Sequence, residues 1–375
     1  MLRRVAVPLA ILGSLSVVIV IGQTSRQIAH ADVSARTTGV LRAGSPMLEP
    51  RSGHSATLLQ NGKVLVAGGM RRNQDFYRSA ELYDPETGSF TATGSMVRAR
   101  VGAAAVLLAS GKVLIAGGWI GQGATDSAEI YDPSTGTFTE IAHMTAVRGR
   151  PEATLLRTGD VLITGGGASD SPAGVPTADL YGASSGTFEA VAPMHFARIA
   201  HTSTLLDDGR VLIVGGRGDN VTASAEIYDP SKKQFALTGS LITARYKHSA
   251  GLLPDGRVLI AGGSDARDWS GALASAEIYD PKTGRFTLTA PLSDARFKLP
   301  DEAASLPGGK LLIAGGSKTV EVYEPSTGKF IAAVGEMSDA RHYMSETRLP
   351  DGSVLLAGGY PNSDAATSAT WIYTP

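Results

Sequence analysis

Two adjacent carboxylates, Asp301 and Glu302, are the residues of this sequence whose types and spacing best suit acid–base chemistry. Neighbouring carboxylates can act as acid and base because like charges raise one pKa while nearby cations lower the other. The alternative is a solvated bulge, since adjacent residues of a strand point to opposite faces. We retain Asp301 and Glu302, together with His342, as weak catalytic candidates.

Seven variable segments carry aromatic and charged residues that could bind a ligand. They span residues 70–79, 119–127, 167–177, 217–224, 264–275, 317–319 and 360–369. Aromatic faces bury area against a sugar ring or a peptide, and charges fix its orientation. With Tyr343 added, the candidate binding residues are Trp119, Arg217, Asp219, Asp265, Arg267, Trp269, Tyr343 and Tyr360. The alternative is that the polar residues simply form loops.

An arginine recurs at one place in seven similar units, at Arg51, Arg100, Arg148, Arg198, Arg245, Arg296 and Arg341. A carboxylate precedes a recurring tyrosine in six of the units, at Glu81, Glu129, Asp179, Glu226, Glu277 and Glu321, and Trp371 takes this place in the seventh. Seven converging cations would repel one another unless paired, and guanidinium groups suit carboxylates. We predict a structural ring of paired arginines. The alternative is a basic mouth for an anionic ligand.

Three histidines, His54, His201 and His248, follow ring arginines in an Arg-x-x-His pattern that could suggest a metal site. They occupy one repeat position, however, which is typical of a packing residue, and no further ligand has a distinctive spacing. The chain has no cysteine, which excludes disulfides, thiol catalysis and cysteine-based metal sites. We therefore predict no metal and no cofactor.

These residues are positioned by a repeat of about fifty residues. The phrase AEIYDP begins at Ala128, Ala225 and Ala276, and variants of it begin at Ala80, Ala178, Val320 and Thr370. A glycine pair follows an apolar run in every unit, starting at Gly68, Gly117, Gly165, Gly215, Gly262, Gly315 and Gly358. A period of this length indicates a repeat architecture.

Each unit contains four apolar or β-branched runs separated by turn signals. In the fifth unit the runs are residues 248–253, 257–263, 275–281 and 285–291. Pairs such as Asp255-Gly256 favour a tight hairpin because glycine accepts positive φ, and the DPKTG segment favours a second turn. Each unit is therefore predicted to be a four-stranded antiparallel sheet.

The units resemble the kelch repeat in their Gly-Gly pair, their tyrosine strand and an aromatic near the start of the fourth strand. The aromatics are Phe90, Phe138, Phe188, Phe235, Phe286 and Phe330. The resemblance covers residues 40–375 and implies an all-β, seven-bladed propeller. Residues 39–47 match residues 88–96, a fourth-strand segment, whereas the seventh unit ends without one. We predict that the N-terminal strand closes the last blade.

The same resemblance extends to two kinds of enzyme. Kelch propellers include the galactose oxidase type, whose cofactor is a tyrosine crosslinked to cysteine beside copper; the absence of cysteine here argues against that chemistry. Kelch-fold sialic acid mutarotases use acid–base groups among arginines, but they are thought to have six blades. Some kelch domains bind acidic peptides with arginines near the ring position.

The N-terminus has the features of an export signal. A basic start at residues 1–4, an apolar run over residues 5–21 and the sequence Ala29-His30-Ala31 predict a signal peptide, residues 1–31, cleaved before Asp32. Residues 32–38 would be a linker and residues 39–375 a single propeller. The alternative is an uncleaved membrane anchor. Both readings place the propeller outside the cytoplasm, secreted or in the periplasm or cell envelope.

The sequence as a whole favours binding over catalysis. The net charge of −1 offers no electrostatic basis for binding nucleic acid or an anionic membrane. No nucleophile–base constellation is evident. We predict an exported, monomeric binding module that recognises a glycan, peptide or protein partner through its loop-rich face, with no membrane insertion beyond the N-terminal segment. The alternative is an extracytoplasmic carbohydrate-active enzyme.

Overall fold

Short antiparallel strands make up most of the regular structure. The computed structural model describes residues 38–168, 173–361 and 365–375, so the predicted signal peptide lies outside the described residues, as do parts of two variable segments. Two 3-10 helices, at Asp268–Gly271 and Pro307–Gly309, are the helices of the described part. Within these ranges no helix has the length and apolar character needed to cross a membrane.

The strands form seven sheets arranged as blades, and β1 (Val40–Ala43) belongs to the last of them. Blade one contains β2 (Ser55–Leu58), β3 (Val64–Ala67), β4 (Ala80–Asp84) and β5 (Ser89–Ala92). Blade two contains β6 (Ala104–Leu107), β7 (Val113–Ala116), a small separate hairpin of β8 (Trp119–Ile120) and β9 (Gly123–Ala124), then β10 (Ala128–Asp132) and β11 (Thr137–Glu140). Blade three contains β12 (Glu152–Leu155), β13 (Val161–Thr164), β14 (Ala178–Gly182) and β15 (Thr187–Val191).

The remaining blades follow the same order. Blade four contains β16 (Thr202–Leu205), β17 (Val211–Val214), β18 (Ala225–Asp229) and β19 (Gln234–Leu237). Blade five contains β20 (Ser249–Leu252), β21 (Val258–Ala261), β22 (Ala276–Asp280) and β23 (Arg285–Leu288). Blade six contains β24 (Leu311–Ile313), β25 (Glu321–Glu324) and β26 (Lys329–Ala332), and blade seven contains β27 (Ser345–Arg348), β28 (Val354–Ala357), β29 (Thr370–Thr374) and β1. The predicted seven-bladed, all-β propeller is confirmed.

The hydrophobic core lies between neighbouring blades. One buried cluster joins Leu65 and Ala67 of blade one to Val113, Ile115 and Tyr131 of blade two. The recurring tyrosine and the aromatic of the fourth strand pack within each of six blades, with ring centroids 4.7–5.0 Å apart. Because each blade buries its faces against its neighbours, the ring must close to complete its core.

The N-terminal strand performs this closure, as predicted. β1 pairs antiparallel with β29 over four residue pairs, from Val40–Thr374 to Ala43–Trp371. Leu41 and Met47 are buried. The backbone N–H of Leu41 also donates to the carbonyl of Val334 at 2.8 Å, which links the closing strand to blade six.

Blade six departs from the four-stranded pattern in its innermost segment. Residues 301–306 do not form a regular strand. The backbone carbonyl of Asp301 accepts a hydrogen bond from the Ala250 N–H at 3.1 Å, and the Ala303 N–H donates to the Ala250 carbonyl at 2.9 Å. This contact is parallel and reaches β20 of blade five. The start of this segment therefore pairs with the neighbouring blade rather than with its own.

Candidate functional site

Residues from all seven blades line a cavity of about 910 Å³ on the ring axis. Its wall includes the first residues of inner strands, such as Ser55, Glu152 and Ser345, and residues from the loops after the second strands, such as Trp119 and Arg217. Ligand pockets typically have volumes of about 300–1,000 Å³. The cavity is therefore large enough for a small molecule or a short oligosaccharide.

A strained turn places side chains on this wall. Two residues after each ring arginine, the backbone is left-handed: Gly53 and Gly102 in blades one and two, then Arg150, Ala200, Lys247, Lys298 and Tyr343, with φ between 53 and 62°. For residues other than glycine this conformation costs about 1–2 kcal/mol each. Such strain is concentrated at functional sites. Four of these side chains, Arg150, Ala200, Lys247 and Tyr343, line the cavity.

Sequence reasoning did not identify these turn residues as a set. The signal was present, because the position two residues after the ring arginine holds glycine in the first two units and arginine, alanine, lysine, lysine and tyrosine in the other five. Glycine is the residue that adopts this backbone without steric cost. Its replacement in five units points to a requirement for side chains at the mouth of the ring.

The ring arginines lie behind this wall and are paired. All seven are buried, and six form ion pairs of 2.5–2.9 Å with the carboxylate that precedes the tyrosine of their own blade. Arg198, for example, contacts Glu226 at 2.9 Å and donates to the carbonyls of Gly215 and Ser224. Glu226 also accepts hydrogen bonds from the backbone N–H groups of His195 and Phe196. Each such pair joins a blade to the connection that precedes it.

Arg341 differs from the other six because Trp371 replaces the carboxylate in its blade. It lies 5.3 Å from the Trp371 ring centroid and 3.5 Å from the exposed carboxylate of Asp339. None of the seven ring arginines belongs to the described lining of the cavity. The arrangement is that of a structural ring rather than a basic mouth.

Carboxyl groups from opposite parts of the ring meet in the cavity. Arg150 of blade three contacts Asp301 of blade six at 3.2 Å and lies 4.3 Å from the ring centroid of Tyr343. Glu152 lies beside this pair; its pKa is raised well above the usual range, first by burial and then by the negative charge of Asp301, with Arg150 opposing. The Arg150–Asp301 contact joins residues that are far apart in the chain.

Two further carboxyl groups on the wall are held toward their neutral form. Glu302 is accessible from the cavity, yet the surrounding walls limit its hydration and raise its pKa. Burial raises the pKa of Glu346 to about 8, and the carboxyl accepts a hydrogen bond from the Ala304 N–H at 2.7 Å. That bond satisfies a backbone donor in the irregular segment of blade six.

The structure brings together five of the residues proposed from sequence. Asp301, Glu302, Trp119, Arg217 and Tyr343 all line the cavity. Trp119 lies against the backbone of Gly149, where a Cβ atom would come within 2.3 Å of its ring. This contact holds the indole in place on the wall.

Three other candidates form an aromatic cluster beside the cavity. Trp269, His342 and Tyr360 surround Lys298, whose Nζ lies 3.8 Å from the Trp269 ring centroid and donates to the Tyr360 hydroxyl at 2.7 Å. Burial, and then the charge of Lys247, lower the pKa of Lys298 to about 8. His342 is buried among these rings and is not in the cavity lining.

The last three candidates lie away from the cavity wall. Asp219 is exposed. Arg267 pairs with Asp265 two residues earlier at 2.6 Å, and its side chain remains 68% exposed. These residues serve as natural controls for any test of the cavity.

The three recurring histidines bridge neighbouring blades. His54, His201 and His248 lie 2.9–3.0 Å from the hydroxyls of Ser345, Thr164 and Thr202, each in the preceding blade. Burial lowers the pKa of His54 and of His248 to about 3 and that of His201 well below its usual range. Across the described ranges, no three His, Cys, Asp or Glu residues come together in a group that could hold a metal ion.

Three of the seven units match a known repeat. The Kelch motif model matches residues 50–97, 100–145 and 245–293, which are units one, two and five. This chain is a seven-bladed β-propeller with Kelch motifs in three of its blades. No curated protein matches it.

A solved structure with this propeller fold is a fungal alcohol oxidase of the AA5 family, in complex with copper. The kelch propeller superimposes on it with a TM-score of 0.72 at 16% sequence identity, covering 90% of this chain and 76% of that chain. At this identity the likeness concerns the fold alone. The donor set does not fit a copper site, because the chain lacks cysteine and its described residues hold no cluster of metal-ligating side chains.

Proposed function

We propose that this kelch propeller is an exported binding module that holds a glycan in its axial cavity. The observation that carries the proposal is the composition of the cavity wall, where the aromatic rings of Trp119, Tyr246 and Tyr343 stand beside charged groups in fixed positions. Aromatic faces pack against the apolar faces of sugar rings, and carboxylates accept hydrogen bonds from hydroxyls. The strain in the turns that carry Arg150, Lys247 and Tyr343 supports the same conclusion.

Glycan binding is tested by calorimetry and thermal shift with a panel of neutral, amino and acidic oligosaccharides. A bound sugar at 100 times its dissociation constant should stabilise the protein by about 2.7 kcal/mol. Trp119→Ala and Asp301→Asn should each weaken binding, because both side chains line the cavity. Asp219→Asn and Arg267→Ala are matched controls on the loops outside it and should bind as the parent protein does.

Two results would contradict this proposal. Binding that is unchanged in Trp119→Ala and Asp301→Asn would place the site elsewhere. If no member of the panel binds, the ligand is not a glycan. A protein partner would then be the ligand to test, since kelch propellers commonly mediate protein interactions.

A carbohydrate-active enzyme is the second candidate, and one observation favours it. Glu152 and Asp301 both line the cavity, and the negative charge of Asp301, after burial, raises the pKa of Glu152. A carboxyl pair that differs in proton affinity can supply an acid and a base. Incubation of bound sugars with the protein, followed by NMR of the anomeric signals, tests for turnover. Glu152→Gln should abolish any turnover that is found.

Export is part of the same proposal and rests on residues 1–31 of the sequence. Mass spectrometry of the protein recovered from cells distinguishes the two forms. A mature chain that begins at Asp32 indicates cleavage and release, whereas an intact Met1 in the membrane fraction indicates an anchor. Recovery of the intact chain from the cytoplasm would overturn export.

A further inference from the structure

Arg217 is the one lysine or arginine of the described cavity lining that has no ionic partner in the described protein. The other two are Arg150, paired with Asp301 at 3.2 Å, and Lys247, paired with Asp268 at 2.7 Å. No hydrogen bond from the Arg217 guanidinium to a described residue is present, and its Nε atom is buried without an acceptor. The contact that it does make is with the Tyr246 ring, whose centroid lies 5.8 Å away.

The ring arginines show that this situation is unusual for the protein. Arg100, Arg198 and Arg341 also leave Nε without an acceptor. The terminal nitrogens of Arg100 and Arg198 bond to carboxylates and carbonyls, and that of Arg341 donates to the Ser338 hydroxyl. A buried donor without a partner carries a desolvation cost that a suitable acceptor would remove. For Arg217 no described residue supplies that acceptor, and the side chain lines the cavity.

The backbone holds Arg217 in place for such a role. It is the first residue after the glycine pair of blade four, and it exchanges two hydrogen bonds with Ile199, of 2.9 and 3.0 Å. The corresponding positions in other blades include Trp119, which also lines the cavity, and Tyr360. The position therefore directs variable side chains toward the axis.

The balance of charge on the wall also favours an anion. The Arg150–Asp301 and Lys247–Asp268 pairs each have no net charge. Burial raises the pKa values of Glu152, Glu302 and Glu346, which shifts these carboxyls toward neutrality. Among the described lysines and arginines of the wall, Arg217 is the one whose positive charge has no carboxylate partner.

We propose that Arg217 binds the carboxylate of an acidic sugar in the axial cavity. This inference rests on the proposed glycan-binding function and narrows it to sugars that carry a carboxylate. Guanidinium groups bind carboxylates through two parallel hydrogen bonds, which gives orientation as well as affinity. A sugar fits better than an acidic peptide because the Trp119, Tyr246 and Tyr343 rings share the wall with carboxyl groups that can bond to hydroxyls.

The test compares each acidic sugar with its own methyl ester, which removes the charge and keeps the ring. Glucuronate, galacturonate and N-acetylneuraminate oligosaccharides are titrated into the purified protein by calorimetry. The acid should bind about 10- to 100-fold more tightly than its ester, the range for a hydrogen bond to a charged group. Arg217→Gln should abolish this preference, and Arg217→Lys should keep part of it.

Arg267→Gln is the matched control, because this arginine lies on the same kind of loop but pairs locally with Asp265. Its preference for the acid should equal that of the parent protein. Circular dichroism and the melting temperature check that both Arg217 variants fold.

The outcomes separate this inference from the function on which it rests. If acid and ester bind equally, or if Arg217→Gln keeps the preference, the inference is wrong while glycan binding stands. If only neutral sugars bind, this inference is also wrong and glycan binding still stands. If no sugar binds, or only an acidic peptide does, the proposed function fails as well.

Discussion

At the scale of single residues, the side chain of Arg198 illustrates how a fully buried cation is accommodated. It is 0% exposed and bonds to Glu226 and to two carbonyls. Removing one partner of a buried pair is costly, because the other charge stays buried without compensation. The seven arginines recur in the sequence and so do their partners, which made a pairing predictable from sequence.

Arg198→Ala is expected to destabilise the protein by about 3–5 kcal/mol, since it leaves Glu226 buried and unpaired. Arg341→Ala is the matched comparison, because its blade has Trp371 in place of the carboxylate and its partner Asp339 is exposed. It should cost less than half as much. Urea denaturation of both variants measures the difference, and equal losses would show that the buried carboxylate is not the cause.

The carboxyl of Glu346 should make stability depend on pH. Burial raises its folded-state pKa to about 8, the nearby negative charge of Glu302 adds to this, and the N–H groups of Ala304 and Ala314 oppose it. The folded protein therefore holds a proton that the unfolded chain releases above about pH 4.3, the ordinary value for glutamate. The free energy of unfolding should fall as pH rises from about 4.5 to 8. Above pH 8 the titration of Glu346 should cause no further loss.

Glu346→Gln should remove this contribution and keep an acceptor for the Ala304 N–H. The variant should be more stable than the parent by about 2–4 kcal/mol at pH 8. This difference in the free energy of unfolding should disappear near pH 4.5. Thermal melts across this range measure it. Glu86→Gln, at an exposed turn, is the control. A gap that did not change with pH would rule out titration of Glu346 as its source.

At the scale of elements, the turn after each ring arginine has the same backbone conformation in every blade but carries a different side chain. The left-handed backbone is common to all seven blades, so the turn is part of the repeat. Its side chain varies from blade to blade, and in blades three, four, five and seven it lines the cavity. Sequence comparison among the units detects the variation but does not reveal the backbone conformation.

Ala200 gives a direct measure of this strain because its methyl group carries no charge or hydrogen bond. Ala200→Gly should stabilise the protein by about 0.5–1 kcal/mol, since glycine adopts the observed φ of 53° without steric cost. Ala250→Gly, in the regular strand β20, should destabilise it by a similar amount. Chemical denaturation compares the two. A loss of stability in Ala200→Gly would mean that packing of the methyl group outweighs the strain.

Strands were the elements most readily predicted from the sequence. The irregular innermost segment of blade six was not predicted. Alternating apolar runs and turn residues marked the strands, because these patterns are local. The innermost segment of blade six, residues 301–306, is held in its first half by Ala250 of blade five and by Glu346 of blade seven. Only its end, at Ala304 and Leu306, bonds to Leu312 and Lys310 of its own blade. The contacts with other blades decide the conformation of the first half, and the local sequence pattern does not contain them.

At the scale of the whole molecule, ring closure depends on a strand from the opposite end of the chain. β1 contributes four residue pairs to blade seven and buries Leu41 and Met47. At roughly 1 kcal/mol per hydrogen bond and about 1.5–3 kcal/mol per buried side chain, this approaches the whole stability of a typical domain.

A protein that begins at Arg51 should therefore be largely unfolded or melt far below the parent. A peptide of residues 38–50 added in trans should restore part of the lost stability, whereas the same peptide with Leu41→Asp should not. Thermal unfolding followed by circular dichroism measures both effects. A truncated protein that melts like the parent would show that the ring does not need this strand.

The sequence by itself determined the features that recur from unit to unit: the blade count, the strand missing from the last unit and supplied by the N-terminus, and the carboxylate that accompanies six of the seven ring arginines. Repetition makes these visible because one physical requirement leaves the same residue type seven times. The chemistry of the axis was decided by the tertiary structure. Arg150 meets Asp301, and Lys298 meets Tyr360, across different blades, and only the closed ring brings such residues within hydrogen-bonding distance. The lack of a described acceptor for Arg217 became visible for the same reason, since the closed ring decides which charged side chains lie near it.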